Sequence, residues 1–487
     1  MARENNRDKG VKMQENKEKE KMQPNHESRS ERSDNSAGTR TITSHESIAI
    51  VGGGISGLAT AFYIKQFNPN AKITLFEKES VLGGKMKTVE KDGFLIEEGS
   101  NGFLSNKPDT LELVKLSGCE DILLKSSDEA RKRFIYDKKL EVLPESAKDF
   151  LTTSLLSLKG KLRVLYEPFA PVKTDDSDES LQEFGYRRVG KEMTNVFLDA
   201  MVAGIYASTP SKISAPAAFP LVVKLEKEYG SLFKGMIKKK KKEAGPGGVL
   251  MSFKGGVSAF IEKLSQNIDI DIIKNADINT LQKDEKDFIL QNENLKMRFD
   301  KVILSTPAYE SAKIVKDFMP KLSSELDSIE YSPISIVAAG YDTLKHTLKG
   351  FGLLTTTRAK KSVLGVLWDS SIFNDRAKEG KKLLRTMIGG QRSSELALQD
   401  EKSLINSALQ GIKDTMGIEQ KPDTLYVKRH DKGIPNYAVG HIQKVEKIMQ
   451  LVDEIDGLYL NSNAYKGIGL NDCVSNSKLC AKKVVGA

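Results

Sequence analysis

Gly52, Gly54 and Gly57, with Gly53, Ile55 and Ser56 between them, are spaced as G-x-G-x-x-G, and an acid, Glu77, follows twenty residues later. Residues of these types at these intervals can hold a dinucleotide. Gly52 permits a tight turn, Gly54 lets a pyrophosphate come up to the backbone, and Gly57 lets a helix and a strand pack closely. The N–H groups and dipole at the helix start stabilise phosphate charge, and Glu77 is placed to accept hydrogen bonds from ribose hydroxyls. The spacing alone is common, so the context decides. A short apolar strand, Ser47–Val51, runs into the first glycine, a helix runs through Leu58–Lys65, and a second strand, Ile73–Phe76, ends at Glu77. The unit reads as βαβ.

The other chemistry-bearing residues exclude more than they suggest. Cys119, Cys473 and Cys480, and the histidines His26, His45, His346, His430 and His441, are scattered. They form no disulfide framework, zinc pattern or histidine-based nucleophile system. The net charge of +9 points to acidic ligands, an anionic membrane surface or nucleic acid until the charges are located. Up to His45 the chain holds ten Lys/Arg against eight Asp/Glu with few large apolar residues, so 1–45 is expected to be a disordered polar tail. Its acids argue against a transit peptide. The run Lys238–Lys242, before Glu243-Ala-Gly-Pro-Gly-Gly248, reads as a solvated loop. Without aromatics between the lysines, nucleic acid is not an expected partner. No apolar run reaches the roughly 18 residues of a membrane span, and no secretory h-region is present; the expected location is cytoplasmic.

These residues need elements to hold them. At 487 residues the chain is long enough for two or three domains. From Leu143 to Lys242 it reads as mostly helical, with apolar spacing of three to four in Phe150–Leu158 and Leu162–Tyr166. A stripe of Leu151, Leu155 and Leu158 suits either a membrane interface or packing on its own domain. Strands return at Ile268–Ile273, Asp287–Leu290 and Val302–Leu304, and again between Ser332 and Gly390. The chain closes with a strand, Leu458–Leu460, and a helix, Asn471–Val485. The helix start at Leu470, Asn471 and Asp472 points backbone N–H groups at whatever lies above it. The same residues also serve as an ordinary N-cap.

Val81-Leu-Gly-Gly-Lys85 and Glu97-Glu-Gly-Ser-Asn101 follow the acid, and together with it they resemble the extended FAD signature of the amine oxidase and protoporphyrinogen oxidase superfamily. Lys85 stands where that family usually has arginine, keeping a cation without the bidentate fork. Four later segments narrow the resemblance to the protoporphyrinogen oxidases: Phe253-Lys-Gly-Gly256, Asp300-Lys-Val-Ile-Leu-Ser-Thr-Pro307, Ile434-Pro-Asn-Tyr-Ala-Val-Gly-His441, and the C-terminal stretch from Gly457 to Cys473. The resemblance runs from Ser47 onward.

That resemblance implies an α/β fold: a Rossmann-like FAD-binding domain built from discontinuous segments (46–130, 249–310 and 441–487), an α+β substrate domain (131–145 and 311–440) and a helical membrane-associated insertion (146–248). It places Lys78, Gly84, Lys85, Gly99, Ser100, Asn101, Gly102, Asp277, His430, Leu470, Asn471 and Asp472 at the cofactor, beside the glycine turn and Glu77. His430 stands where parts of the family have tryptophan. Arg133, before Phe-Ile-Tyr136, is implied to pair with a substrate propionate, and Gly204, Leu354, Leu367 and Met387 to line the pocket, with Asn101 as a weak catalytic candidate. The implied reaction is a six-electron oxidation of a porphyrinogen, with molecular oxygen reduced to peroxide. The implied partners are a membrane surface and either a second copy of the chain or ferrochelatase. A coproporphyrinogen oxidase on the same fold, an amine oxidase or carotenoid desaturase, and a flavin-binding protein without turnover are the competing readings.

Overall fold

A computed structural model describes residues 46–242 and 248–487. The expected polar tail and residues 243–247 lie outside the described residues.

Two sheets organise the chain. The first is parallel, with strands in the order Asp271–Ile273, Lys72–Phe76, Ser47–Val51, Lys301–Leu304 and Leu458–Leu460. Its central strands are apolar on both sides because both faces are covered. Ile48 and Ile50 pack with the helix Ile55–Phe67, the helix Val257–Gln266 and the C-terminal helix Leu470–Val485. Ala49 and Val51 face a three-stranded meander, Thr280–Asp284, Asp287–Gln291 and Lys296–Phe299, with the helices Ala308–Val315, Pro320–Asp327 and His441–Asp453. Every strand of this sheet ends at the edge where the glycine turn lies.

The second sheet has seven strands in the order Thr424–Pro435, Tyr331–Tyr341, Lys382–Gly389, Gly365–Leu367, Gly352–Thr355, Arg133–Tyr136 and Leu140–Val142. Only the pair Arg133–Tyr136 and Gly352–Thr355 is parallel. One face buries Val337, Leu384, Ile388, Leu353 and Val366 against Leu404, Ala408 and Ile412 of the helix Glu401–Met416. The opposite face is only partly covered.

Helices fill the stretch from Ala147 to Lys242, around a fully buried ion pair between Arg188 and Glu167. Two expectations are corrected here. Phe150–Leu158 is not one helix: Ala147–Thr152 stops, and Leu158–Leu165 begins afresh with the Ser157 hydroxyl accepting from the Gly160 N–H at 3.0 Å. The break turns Leu155 into the core, 4% exposed, and leaves Leu151 and Leu158 outside. Lys238–Lys242 is not a loop but the last part of the helix Leu232–Lys242, in keeping with the good helix propensity of lysine. Among the described residues no helix is long and apolar enough to cross a membrane.

Candidate active site

The three glycines of the turn do three different things. Gly52 has φ +109°, open to glycine and little else, and its N–H donates to Phe76 O at 2.8 Å. A Cβ on Gly57 would sit 2.0 Å from Gly52 O, so this position serves helix–strand packing. A Cβ on Gly54 would meet nothing nearer than Gly83 O at 3.9 Å. Protein packing therefore does not require glycine at 54, whereas a phosphate seated against that backbone does. Glu77, 6% exposed, accepts from the Gly53 N–H at 2.8 Å and the Glu79 N–H at 2.9 Å. Ile55 and Ser56 are buried in the first turn of the helix, and Lys78 is exposed, 3.6 Å from Glu310. Asp277 is exposed in the loop after Asp271–Ile273, next to Ala276, whose N–H donates to Glu77 O at 2.9 Å.

The segment Gly83–Lys85 lies over this turn, with the Gly83 N–H donating to Gly53 O at 2.9 Å and Gly84 beside Gly54. The Lys85 ammonium turns to the second sheet, donating to Lys432 O at 2.7 Å and to Gly433 O. Burial pulls its pKa down to about 8. The strip Glu97–Asn101 leaves the strand Phe94–Glu97 and passes between the two sheets. Gly99 and Gly102 fit only without side chains, since a Cβ would stand 2.3 Å from Lys85 O and 2.0 Å from Met251 O respectively. Ser100 donates to Gly102 O at 3.3 Å.

The register of the seven-stranded sheet shows what the strip faces. Arg133, Gly352, Leu367, Arg385, Ala338 and Tyr426 form one cross-strand row. Ile135, Leu354, Gly365, Met387, Ile336 and Lys428 form the next row on the same face, and Gly389, Ile334 and His430 a third. Four pocket candidates from the sequence, Arg133, Leu354, Leu367 and Met387, thus share one face with His430. Gly204, on the helix Asp199–Tyr206, closes on this face: a Cβ there would lie 2.9 Å from Leu354 Cδ1. Leu354, Leu367 and Met387 are each half-buried, and the exposed Arg133 guanidinium lies 5.2 Å from the Phe351 ring centre.

Charged groups fasten the strip to the sheet. His430 Nε2 lies 2.8 Å from Glu98 O, and burial lowers the pKa of its imidazole. The Glu98 carboxylate takes the Tyr426 hydroxyl and, at 3.0 Å, the Lys428 ammonium; burial opposes ionisation, but these donors hold it below its ordinary pKa. Glu97 pairs with Arg376 at 2.8 Å, both wholly buried. Burial pushes the Glu97 carboxyl up, against the pull of Arg376 and Thr88. Arg376, Arg385 and Asp369 were missed in the sequence. Their one visible signal was an arginine inside the apolar run Leu383-Leu-Arg-Thr-Met-Ile388.

At the C-terminal helix the side chains named from the sequence are already engaged. Asn471 accepts from the Thr110 hydroxyl at 2.6 Å and donates to Leu104 O at 2.9 Å, while Asp472 pairs with Lys107 and caps the Gly469 N–H. What this terminus can offer a ligand is backbone, since the first N–H groups of a helix, here from Leu470 on, have no intrahelical carbonyl to reach.

Residues 55–485 match the family model described as flavin containing amine oxidoreductase. The chain belongs to that family. Flavin amine oxidoreductases are FAD-dependent, and the turn, with its open face at Gly54 and its acid at Glu77, fits that cofactor. Within the family, a coproporphyrinogen III oxidase of Bacillus subtilis (strain 168) is 28% identical over 88% of this chain and 96% of the relative. A chloroplastic protoporphyrinogen oxidase of Nicotiana tabacum is 27% identical over 90% of this chain and 85% of the relative. A crystal structure from Exiguobacterium sp. 255-15, provisionally named a protoporphyrinogen oxidase, superposes with a TM-score of 0.80 at 26% identity, covering 91% of this chain and 99% of the other. A reduced UDP-galactopyranose mutase shares the fold alone, with a TM-score of 0.70 at 14% identity, covering 91% of this chain and 94% of the other.

Proposed function

We propose that this flavin oxidoreductase oxidises a porphyrinogen to the porphyrin with molecular oxygen as final acceptor, and that its substrate is protoporphyrinogen IX. The observation that carries the reading is the half-buried sheet face: a floor of Leu354, Leu367 and Met387 with a guanidinium, Arg133, at its rim. Such a face suits a flat apolar macrocycle with carboxylates on one edge. In this reading the parallel sheet holds the cofactor through the 52–57 turn, Glu77, Gly84, Lys85, the strip 99–102 and the backbone at 470–472, with Lys78, Asp277 and His430 at its margins. Bound FAD supplies a two-electron acceptor.

The protein's own part is positioning and exclusion. Arg133 holds a propionate, the Gly204 backbone and the three apolar side chains orient the ring, and Asn101 offers an amide to its N–H groups. Support for a division into cofactor segments 46–130, 249–310 and 441–487, and substrate segments 131–145 and 311–440, comes from the strands of the parallel sheet lying in the first set and those of the seven-stranded sheet in the second.

Coproporphyrinogen III as substrate is the second reading, favoured by the Bacillus subtilis relative and by a Staphylococcus aureus coproporphyrinogen III oxidase 28% identical over 90% of this chain. FAD-loaded protein incubated in air with each porphyrinogen separately, with porphyrin fluorescence read against enzyme-free controls, tests both. Faster turnover of protoporphyrinogen IX supports the first reading and preference for coproporphyrinogen III the second; turnover of neither overturns the proposal.

We further propose that the segment 146–248, through its helices up to Lys242, rests on an anionic membrane surface, on the cytoplasmic side. Supporting this are Leu158 (74% exposed), Leu162, Leu165, Tyr166 and Phe169 (73% exposed) on and after the helix Leu158–Leu165, with Leu151 near them in the chain.

A further inference from the structure

An arginine in the middle of a half-buried apolar face is costly unless every charge around it is satisfied. Arg385 is 2% exposed, and its guanidinium is spent in two directions. Nε and Nη2 donate to the two oxygens of Asp369, at 2.7 and 3.2 Å. Nη1 donates to Glu97 O at 2.8 Å and Gly99 O at 3.0 Å, on the strip that separates the sheets. Asp369 is fully buried at the start of the short helix Asp369–Ile372, and it also reaches a second partner, since its Oδ1 lies 3.4 Å from Asn101 Nδ2.

An ionised carboxylate only accepts hydrogen bonds, so the amide of Asn101 turns its NH2 toward Asp369. Its carbonyl oxygen, Oδ1, is thereby turned away, and it is buried without a partner. Leaving a buried amide oxygen unpaired is destabilising, and a donor arriving with the substrate would remove that cost.

We propose that Asp369, clamped by Arg385, is a positioning residue that fixes the Asn101 amide with its oxygen turned from Asp369 and left unpaired, as the hydrogen-bond acceptor for a ring N–H of the substrate. This deepens the porphyrinogen reading and rests on it. Porphyrinogens carry pyrrole N–H donors at the centre of the ring, and an acceptor there holds the macrocycle at a fixed height and rotation while Arg133 holds its edge.

The test is a double-mutant cycle on the full-length, FAD-loaded protein with Asp369→Asn, Asn101→Ala and both together. Three readouts accompany it: the visible flavin band, kcat and KM for the porphyrinogen, and quenching of protoporphyrin IX fluorescence on binding. Each single change is expected to lower kcat about tenfold and to weaken porphyrin binding, with FAD still bound as judged from the visible flavin band. The double variant is expected to be no worse than Asn101→Ala. Losses that multiply in the double variant, or a kcat untouched by Asp369→Asn, overturn the proposal. Should Asp369→Asn fail to accumulate as folded protein, Asp369→Glu takes its place in the same cycle, keeping Arg385 paired while displacing the oxygen that faces Asn101. Wild-type protein inactive on both porphyrinogens counts against the proposed function, whereas an active wild type with multiplying losses counts against this inference alone.

Discussion

Gly54 and Gly57 stand three residues apart in one motif, yet the space around them differs: Gly54 has an open face and Gly57 has Gly52 O at 2.0 Å from its would-be Cβ. Gly54→Val should therefore leave the thermal midpoint of the apoprotein close to wild type while weakening FAD binding at least about tenfold, measured by flavin fluorescence titration. Gly57→Val should destabilise the fold itself, by about 1–3 kcal/mol or more. The packing role of Gly57 was legible in the sequence because it is local. Arg385 and Arg376 were not, since their partners Asp369, Glu97 and Gly99 are brought to them by tertiary structure, and a charge inside a strand pattern reads as solvent-facing. His441 gives a residue-scale pH prediction. Buried and stacked 4.1 Å from the Tyr437 ring, its pKa falls from 6.5 to about 4. Between those values the unfolded chain binds more protons, so this contribution to stability is complete above pH 6.5 and is lost as pH falls toward about 4. His441→Gln should flatten that part of the denaturation midpoint against pH, measured relative to wild type.

At the scale of elements, the helical character of 143–242 was legible from apolar periodicity, but its breaks were not. Phe150–Leu158 has a helical spacing throughout, and the interruption is held by the Ser157 cap, by Glu192 accepting from the Ser157 N–H at 2.9 Å, and by the packing of Leu155. The break leaves Leu158 exposed, and the proposed membrane contact uses it together with the exposed Phe169. Leu158→Glu with Phe169→Glu should abolish co-sedimentation with anionic vesicles while leaving turnover of detergent-dispersed porphyrinogen near wild type. The C-terminal helix shows the opposite balance. Its boundaries were plain, but Asn471 was open to two roles, and the side chain is occupied by Thr110 and Leu104. Asn471→Ala should cost about 1–3 kcal/mol in a urea titration, with a smaller effect on FAD affinity than Gly54→Val.

In the whole molecule, the two sheets meet along the strip Glu97–Asn101, and two arginines hold it: Arg385 by its backbone and Arg376 by the Glu97 side chain. The parallel sheet could be read almost entirely from short apolar runs. The seven-stranded sheet could not, because its order joins Arg133–Tyr136 to strands beyond Tyr331, and neither Glu401–Met416 nor Thr424–Pro435 was anticipated. What the sequence offered there was resemblance, and the register now shows Arg133, Leu354, Leu367 and Met387 on one face. The strip, through Arg385, and Lys85, through Lys432 O and Gly433 O, both tie the cofactor turn to the seven-stranded sheet, and in the proposed reading a porphyrinogen on that sheet's face delivers electrons directly to bound flavin. Mixing FAD-loaded protein with protoporphyrinogen IX in the absence of oxygen, and following the visible flavin band, tests this most directly. Rapid bleaching of that band is expected, with porphyrin formed in step, slowed by Arg133→Ala through weaker binding. A flavin band that stays oxidised under saturating porphyrinogen would contradict it.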